Sequence, residues 1–482
     1  MRAVLMRARS PIGLAGALCA HRSCVNRSAA HSNMTDRDIA WVLTVVLTLL
    51  APVRGVCQES TTDPRVTWLA EHAIRLTTAL PDDRDFSDLG PLETVLRNVS
   101  MVMLGEQSHG DGTTFLAKTR LAMYLHQKLG FDVIAFESGL YDCWKAWQHL
   151  EAGGEPAQAL ELALFGLWSQ SEQVRPLGDY LAASATTERP LVLTGFDIQP
   201  SGRASQALVT DLAAVMTEIG STALGGDRWR AFTDIHKRLV DRSYVRGDVG
   251  LPTHEARERF ADAVASIRQE VLAAWLRDES PELAVWVQVL DGIDAYARMI
   301  WLVDPDDLRP KIADARIRDA QMAEHLLWLA RERYPDRKII VWAATSHTAR
   351  HLATVESPVP EVQEIYDGVP TLGELVWQAM GDRMYSLGFT AYEGEAGNVY
   401  GTRWPVSTPS AGSLEDLMYR AGLENAIIDF RRPSRGGTWL DSVIVARPMG
   451  YGEVRARWSH VLDGMMFTRQ MTPSTRVSET PP

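Results

Sequence analysis

A carboxylate and an imidazole three residues apart, Glu106 and His109 within Glu106-Gln107-Ser108-His109-Gly110, are the side chains whose types and spacing point most directly to chemistry. A neutral imidazole oriented by a carboxylate has a proton affinity suited to taking a proton from water near pH 7. Glu137, Asp197 and His347 occupy matching places, each at or just after the C-terminal end of a short apolar run. In open α/β sheets that edge is where ligands bind, so parallel neighbouring strands would bring all five groups to one crevice. Taken singly, each has an ordinary structural role open to it. Glu-x-x-His occurs in solvated turns, Glu137 could be an exposed strand end, His347 a satisfied core histidine, and Asp197 the N-cap of a helix beginning near Ser201. Ser108 and Ser346 each precede a histidine, but the chain has no Gly-x-Ser-x-Gly elbow and adjacency in sequence is not triad geometry.

The elements that must position these groups are legible as patterns. Residues 99–105, 131–137, 190–197 and 338–344 are of strand length and almost continuously apolar, as strands covered on both faces of a parallel sheet are. Between the first two, residues 113–129 repeat apolar side chains near the helical period and stop at Gly130, which makes a βαβ unit. The long stretch between the third and fourth runs reads mostly as helix, for example over 257–276 and 313–333, and is expected to form an insertion over about 201–335. Further on, the pattern predicts a helix over 372–380, a strand over 384–390, a glycine-rich functional loop over 388–401, a helix over 414–421, and strands over 425–430 and 463–468. The expected fold is α/β, a mainly parallel central sheet flanked by helices with a large helical insertion. It occupies a single domain over residues 56–471, followed by a disordered polar tail over 472–482.

Composition narrows the partners. The 482 residues are 46% hydrophobic and carry 49 Lys and Arg against 61 Asp and Glu, a net charge of −12. Such an acidic balance argues against nucleic acid or an anionic membrane and for a small-molecule ligand. Residues 1–55 hold seven Arg and two acidic residues, so the remainder carries 42 basic against 59 acidic groups, or −17. Within that front segment residues 39–53 form an uninterrupted apolar run, short for a membrane span but suited to a signal-peptide core. The expectation is an exported protein, periplasmic or extracellular, with residues 1–55 as targeting segment. The protein is then not stably inserted in a membrane after cleavage before Val56, and is anchored if the segment is kept. Met34 is an alternative start. Only Cys57 and Cys143 would survive processing, too few for a disulfide framework or a cysteine-based metal site.

At these residues the sequence resembles the erythromycin esterase family. The resemblance is carried by LGEQSHG (104–110), FDVIAFE (131–137), TGFDIQ (194–199), ARIRDAQMAEHLLWL (315–329), VWAATSH (341–347), TLGELVWQAMGDRMYSLGFT (371–390) and LDGMMFT (462–468), and runs from about residue 95 to 470. It implies cofactor-free hydrolysis of a small-molecule ester or lactone without a covalent serine intermediate. His109 matches the family's essential histidine, the general base on water, and Glu106 and Glu137 match its two glutamates. His347 matches the second histidine of a Trp-Ala-His-Asn-x-His pattern whose first histidine is here Ala344. Lys118 stands where many members have arginine, keeping the charge without the planar fork. Arg120, two positions on, faces another side of its helix. His347 would then meet the oxyanion or protonate the leaving alcohol, with Lys118 or Arg318 beside it. The resemblance raises Arg318 from a surface pair with Asp319 to a substrate or oxyanion contact. It also adds Asp197, Trp168 and Glu172 as supporting residues and leaves a macrolide as only one of the substrates open to the site.

Two other readings stay open from the residues alone. Glu106, His109, Glu137 and His347 form a plausible mixed oxygen and nitrogen set for zinc or manganese, making a metal-dependent hydrolase or a metal-binding module. Ala344 favours a non-catalytic ligand-binding protein. The oligomeric state is not legible.

Overall fold

The near-continuous apolar runs form strands because their side chains are covered on both sides. In the computed structural model, which describes residues 63–302, 312–431 and 436–478, every residue of Met101–Leu104 (β1) and Val192–Asp197 (β3) is buried. With Phe131–Gly139 (β2) and Lys338–Trp342 (β4) they are the four strands expected from sequence. The expected targeting segment and Cys57 lie outside the described residues. Among the described residues no helix is long and apolar enough to cross a membrane.

Three later strands, Met384–Gly397 (β5), Asn425–Asp429 (β6) and Gly464–Met471 (β7), complete the sheet in the order β6-β7-β5-β1-β4-β2-β3. From β7 to β3 all neighbours are parallel, and β6 is antiparallel to β7. Two short antiparallel additions, Ile74–Arg75 on β6 and Arg403–Val406 on β5, bring the sheet to nine strands. The four sequence-derived strands are thus contiguous and parallel, so their C-terminal ends share one edge.

Helices cover the sheet. Gly112–Leu129 (α1) follows β1 and ends at Gly130, whose φ of 73° is the left-handed value glycine adopts without strain. Leu140–Glu151 (α2) follows β2. Between β3 and β4 the chain forms Leu208–Glu218 (α3), Asp227–Val240 (α4), His254–Asp278 (α5), Pro281–Ile300 (α6) and Ile312–Trp328 (α7). Thr253 and Ser280 cap α5 and α6 by accepting the N–H three residues on. Leu372–Met380 (α8) is capped in the same way by Thr371.

Two expectations fail here. The glycine-rich stretch 388–401 is not a loop: β5 continues to Gly397, and only the turn after it lies outside the strand. Its glycines serve close approach, since a Cβ on Gly394 would sit 2.2 Å from the Met471 carbonyl oxygen of β7. The tail is placed through Ser478, bridging Asp111 with Pro473 and Ser171 with Arg476. Its polar composition suggested disorder, but its backbone pairs with that of Gly110, Gln170 and Glu172, and its hydroxyls with the side chains of Ser171 and Gln173; residues 479–482 lie outside the described residues.

Candidate active site

Glu106 sits in the turn between β1 and α1, and this turn is tightly specified. Gly105 needs no positive φ; it is required by proximity, because a Cβ there would lie 2.5 Å from Thr345 Oγ1. The buried Asp111 carboxylate accepts from the Ser108 N–H at 2.7 Å, the Ser108 hydroxyl at 2.9 Å and the Tyr451 hydroxyl at 2.9 Å. Burial pushes the Asp111 carboxyl up to about 7. Gly110 offers its carbonyl to the N–H groups of Gly397 and Ser474, at 2.9 and 3.1 Å. The turn is therefore held from β5 and from the tail together.

Within this frame Glu106 uses both oxygens. Oε1 lies 2.7 Å from His109 Nδ1, and Oε2 accepts from Lys118 Nζ of α1 at 2.8 Å. Lys118 also donates to the Ala343 carbonyl at 3.3 Å and lies 4.2 Å from the centre of the Trp342 ring. Burial brings the Lys118 amine down to about 8 against the pull of Glu106. Arg120 faces elsewhere, paired with Asp88, as helical spacing requires. The His109 ring packs edge-on against Trp168 at 5.0 Å, and its side chain is 31% exposed. Burial opposes charge on this imidazole, but hydrogen bonding and attraction from Glu106, helped by Glu137, outweigh it and raise the pKa above 6.5. With Nδ1–H committed to the carboxylate, the Nε2 lone pair faces outward.

The opposite half is built around Arg318 of α7. Its Nε and Nη2 donate to Asp197 at 3.1 and 2.7 Å, Nη2 donates to Glu137 Oε1 at 2.8 Å, and Nη1 lies 3.1 Å from His347 Nε2. Gln199, with its amide oxygen turned to the guanidinium, accepts from Nε at 2.9 Å. Burial penalises the charge, but Asp197 and Glu137 outweigh it and raise the Arg318 pKa. Glu137 sits where β2 and β3 slip register, between Phe136 and Gly139, an irregularity of the kind that re-aims a side chain. Its Oε2 accepts the Ala344 N–H at 2.8 Å. Burial alone would raise this carboxyl; the cationic groups of His347, Arg318 and His109 outweigh it and bring the pKa down to about 2. His347 lies on the turn after β4, its Nδ1 2.9 Å from Asp319 Oδ1 and its Nε2 3.4 Å from Glu137 Oε1. Burial again opposes charge, and Asp319 and Glu137 win, raising the pKa above 6.5.

His109, Glu106, Glu137, His347, Lys118, Asp197 and Arg318 therefore converge at the strand ends, with Trp168 as a wall. Glu172 does not join them. Its carboxylate accepts the Ser478 N–H at 3.0 Å and faces Arg175 at 3.6 Å, so it holds the tail. Asp197 is not a helix N-cap for Ser201; it accepts the N–H groups of Ile198 and Gln199 and the guanidinium. Arg318 and Asp319 are not a surface pair, because Asp319 is buried and also accepts the Leu372 N–H at the start of α8, at 2.8 Å. Sequence reasoning passed over Asp111, Gln199 and Tyr451. Ser108-x-x-Asp111 is a spacing at which a side chain caps its own turn and could have drawn notice to Asp111; nothing local announces Tyr451.

The cluster pairs its charges internally. Glu106 is engaged by Lys118 and His109, and Glu137 by Arg318 and the Ala344 N–H. Among the described residues no group of three or more His, Cys, Asp and Glu side chains is disposed to hold one. Arg318 has five N–H groups; those of Nε and Nη2 are engaged by Asp197, Glu137 and Gln199, and of the two on Nη1 only one can face His347. The His109 imidazole and the Arg318 guanidinium thus belong to one cluster at the strand ends, close enough to act on each other's charge.

Comparison with known proteins agrees with this architecture. The sequence profile of the erythromycin esterase family matches residues 126–471. The chain is 26% identical over 430 residues to "Putative hydrolase YbfO" of Bacillus subtilis (strain 168), covering 84% of this chain and 91% of that protein. It is 23% identical over 397 residues to erythromycin esterase type II of Escherichia coli, covering 76% and 88% of the two. The crystal structure of a mutant of the erythromycin esterase EreC in its open conformation superposes with a TM-score of 0.66 at 17% identity, covering 84% of this chain and 99% of that one. At that identity the superposition speaks for the fold.

Proposed function

Because this chain belongs to the erythromycin esterase family, an esterase-like hydrolase, we propose that it cleaves an ester or lactone with water activated by His109. The observation carrying this reading is the Lys118–Glu106–His109 chain, with contacts of 2.8 and 2.7 Å, which fixes the tautomer that leaves Nε2 free. A water hydrogen-bonded to Nε2 gives its proton to the ring as its oxygen attacks the substrate carbonyl. The positive charge developing on His109 faces Glu106 and Glu137, which favour it. The oxyanion takes the Arg318 Nη1–H that does not face His347, a donor fixed in advance by Asp197 and Glu137. As the tetrahedral species collapses, the acyl–oxygen bond breaks and the His109 proton passes to the leaving oxygen, giving acid and alcohol. His347, oriented by Asp319, is the second group able to carry that proton.

No serine acts as nucleophile in this scheme. Ser108 is engaged with Asp111, and its loop is held for positioning. The reading also carries an exported protein, on the strength of the apolar run over 39–53. The test is His109→Asn, assayed with neutral aryl esters and with lactones. Turnover is expected to fall about 10²-fold or more, the usual cost of losing a general base, with the thermal midpoint kept. Hydrolysis at the wild-type rate in that variant removes His109 from the mechanism.

A further inference from the structure

Beside the catalytic crevice lies a cavity of about 240 Å³ whose lining includes Phe165, Leu167, Pro200, Arg242 and Tyr400. Two of its lining segments lead directly into the site. Leu167 precedes Trp168, whose ring packs on His109, and Pro200 follows Gln199, which contacts Arg318. The other well-formed cavity, behind Asp197 and lined in part by His236 and His325, is about 50 Å³ and has room for only one or two waters.

Arg242 sets the larger cavity apart. Among the described residues the buried arginines are each engaged: Arg120 with Asp88, Arg350 with Asp463, and Arg447 with the carbonyls of Ala391 and Tyr392. The half-buried Arg318 and Arg431 are likewise engaged, with Asp197 and Asp463. The Arg242 side chain has no ion pair or hydrogen bond to any described residue, although it too is half-buried. Its acidic neighbour Asp241 turns to Ser243, and Asp248 is taken by Arg246. The backbone of Arg242 is also unusual, at φ 59° and ψ 23°, a left-handed conformation that costs a non-glycine residue free energy and is retained mainly where a specific side chain is needed. Arg476 of the tail, likewise without a side-chain partner, acts with Arg242 on the Tyr400 hydroxyl. In a chain of net charge −12, an unpaired, half-buried guanidinium lining a cavity with Phe165 and Tyr400 forms a local positive site.

We infer that this cavity is a specificity subsite for an anionic oxo group, a carboxylate or phosphate, borne on the apolar body of the substrate. The guanidinium fork of Arg242 meets the anion, and Phe165, Leu167 and Tyr400 cover the apolar part. The inference deepens the hydrolase reading and rests on it for the word substrate; the binding it describes is measurable without turnover.

The test is calorimetric titration of the full chain with phenylacetate and with its neutral isostere phenylacetamide. It is run on wild type, His109→Asn, Arg242→Gln and Arg242→Gly, the last relieving the backbone strain if the glutamine variant fails to fold. Wild type and His109→Asn are expected to prefer the anion at least tenfold, a preference that weakens with added salt. Both Arg242 variants are expected to bring the ratio close to one. Equal binding of the two probes by wild type, or an undiminished preference in an Arg242 variant, overturns the inference. Anion preference in a protein that hydrolyses no ester supports the subsite and sinks the hydrolase reading. Ester hydrolysis with no anion preference does the reverse.

Discussion

The single most informative side chain is Arg318, because four partners fix it before any substrate arrives. An ammonium in its place could satisfy Asp197 or Glu137 but not both while also offering a donor to an oxyanion. Arg318→Lys should therefore lower kcat by about 10²-fold, the scale seen when one oxyanion donor is lost, with a smaller effect on KM. Steady-state kinetics on a neutral ester reads this, and a kcat within twofold of wild type would show that the guanidinium only holds the fold. Lys118 illustrates the converse: it meets Glu106 across 2.8 Å, which a point charge does well, so under the proposed mechanism lysine in place of arginine would keep the water-activating half. Ala344 likewise keeps a part in the site, since its N–H fixes Glu137 whatever its side chain.

Among the elements, the segment after β7 is the one whose importance composition hid. Its Ser474 N–H binds Gly110, its hydroxyl lies 2.8 Å from that of Ser171, and Thr475 and Ser478 bond Gln173 and Glu172. It thus ties the His109 turn to the segment carrying Trp168. Ending the chain after Met471 is expected to lower kcat about tenfold or more, since misplacing a catalytic group by about 1 Å can cost 10²-fold. The His109→Asn variant should lose little further when truncated. Unchanged kcat in the shortened enzyme would mean that the turn holds itself. The four parallel strands were readable because strands buried on both faces leave an unbroken apolar signature. The helix end at Gly130 was readable from local chemistry. The full length of β5 was not, because its glycines are spent on close approach, Gly394 to Met471 of β7, Gly388 to Leu462 and Gly397 to Arg403, and look like loop residues in one dimension. The Arg318–Asp197 pairing spans 121 positions, so its burial could not be inferred from the helix that carries it.

Over the whole molecule, the site depends on β1 and β4 staying in register with β5 and β7. A buried carboxylate secures part of that arrangement. Asp463, just before β7, accepts from Arg350 at 2.8 and 2.9 Å, from Arg431 at 2.7 Å and from the Ser386 N–H of β5 at 2.8 Å. Burial works against its charge, but the two arginines hold its pKa below the ordinary value. A depressed carboxyl adds stability above its unfolded pKa and loses it as pH falls through the folded one, so this contribution is complete at neutral pH and fades only in strong acid. Asp463→Ala should cost about 3–5 kcal/mol, the usual result of orphaning buried partners, read as a large drop in thermal midpoint; a drop of a degree or less would contradict this role. The central claim, that His109 takes the proton from water with Glu106 behind it, is tested most directly by the pH dependence of kcat/KM in wild type and Glu106→Gln. The wild-type rate should rise with pH through a limb above 6.5, because Glu106 and Glu137 raise the His109 pKa. Glu106→Gln should move that limb to lower pH while reducing its plateau. A limb that keeps its position without the carboxylate would contradict the account.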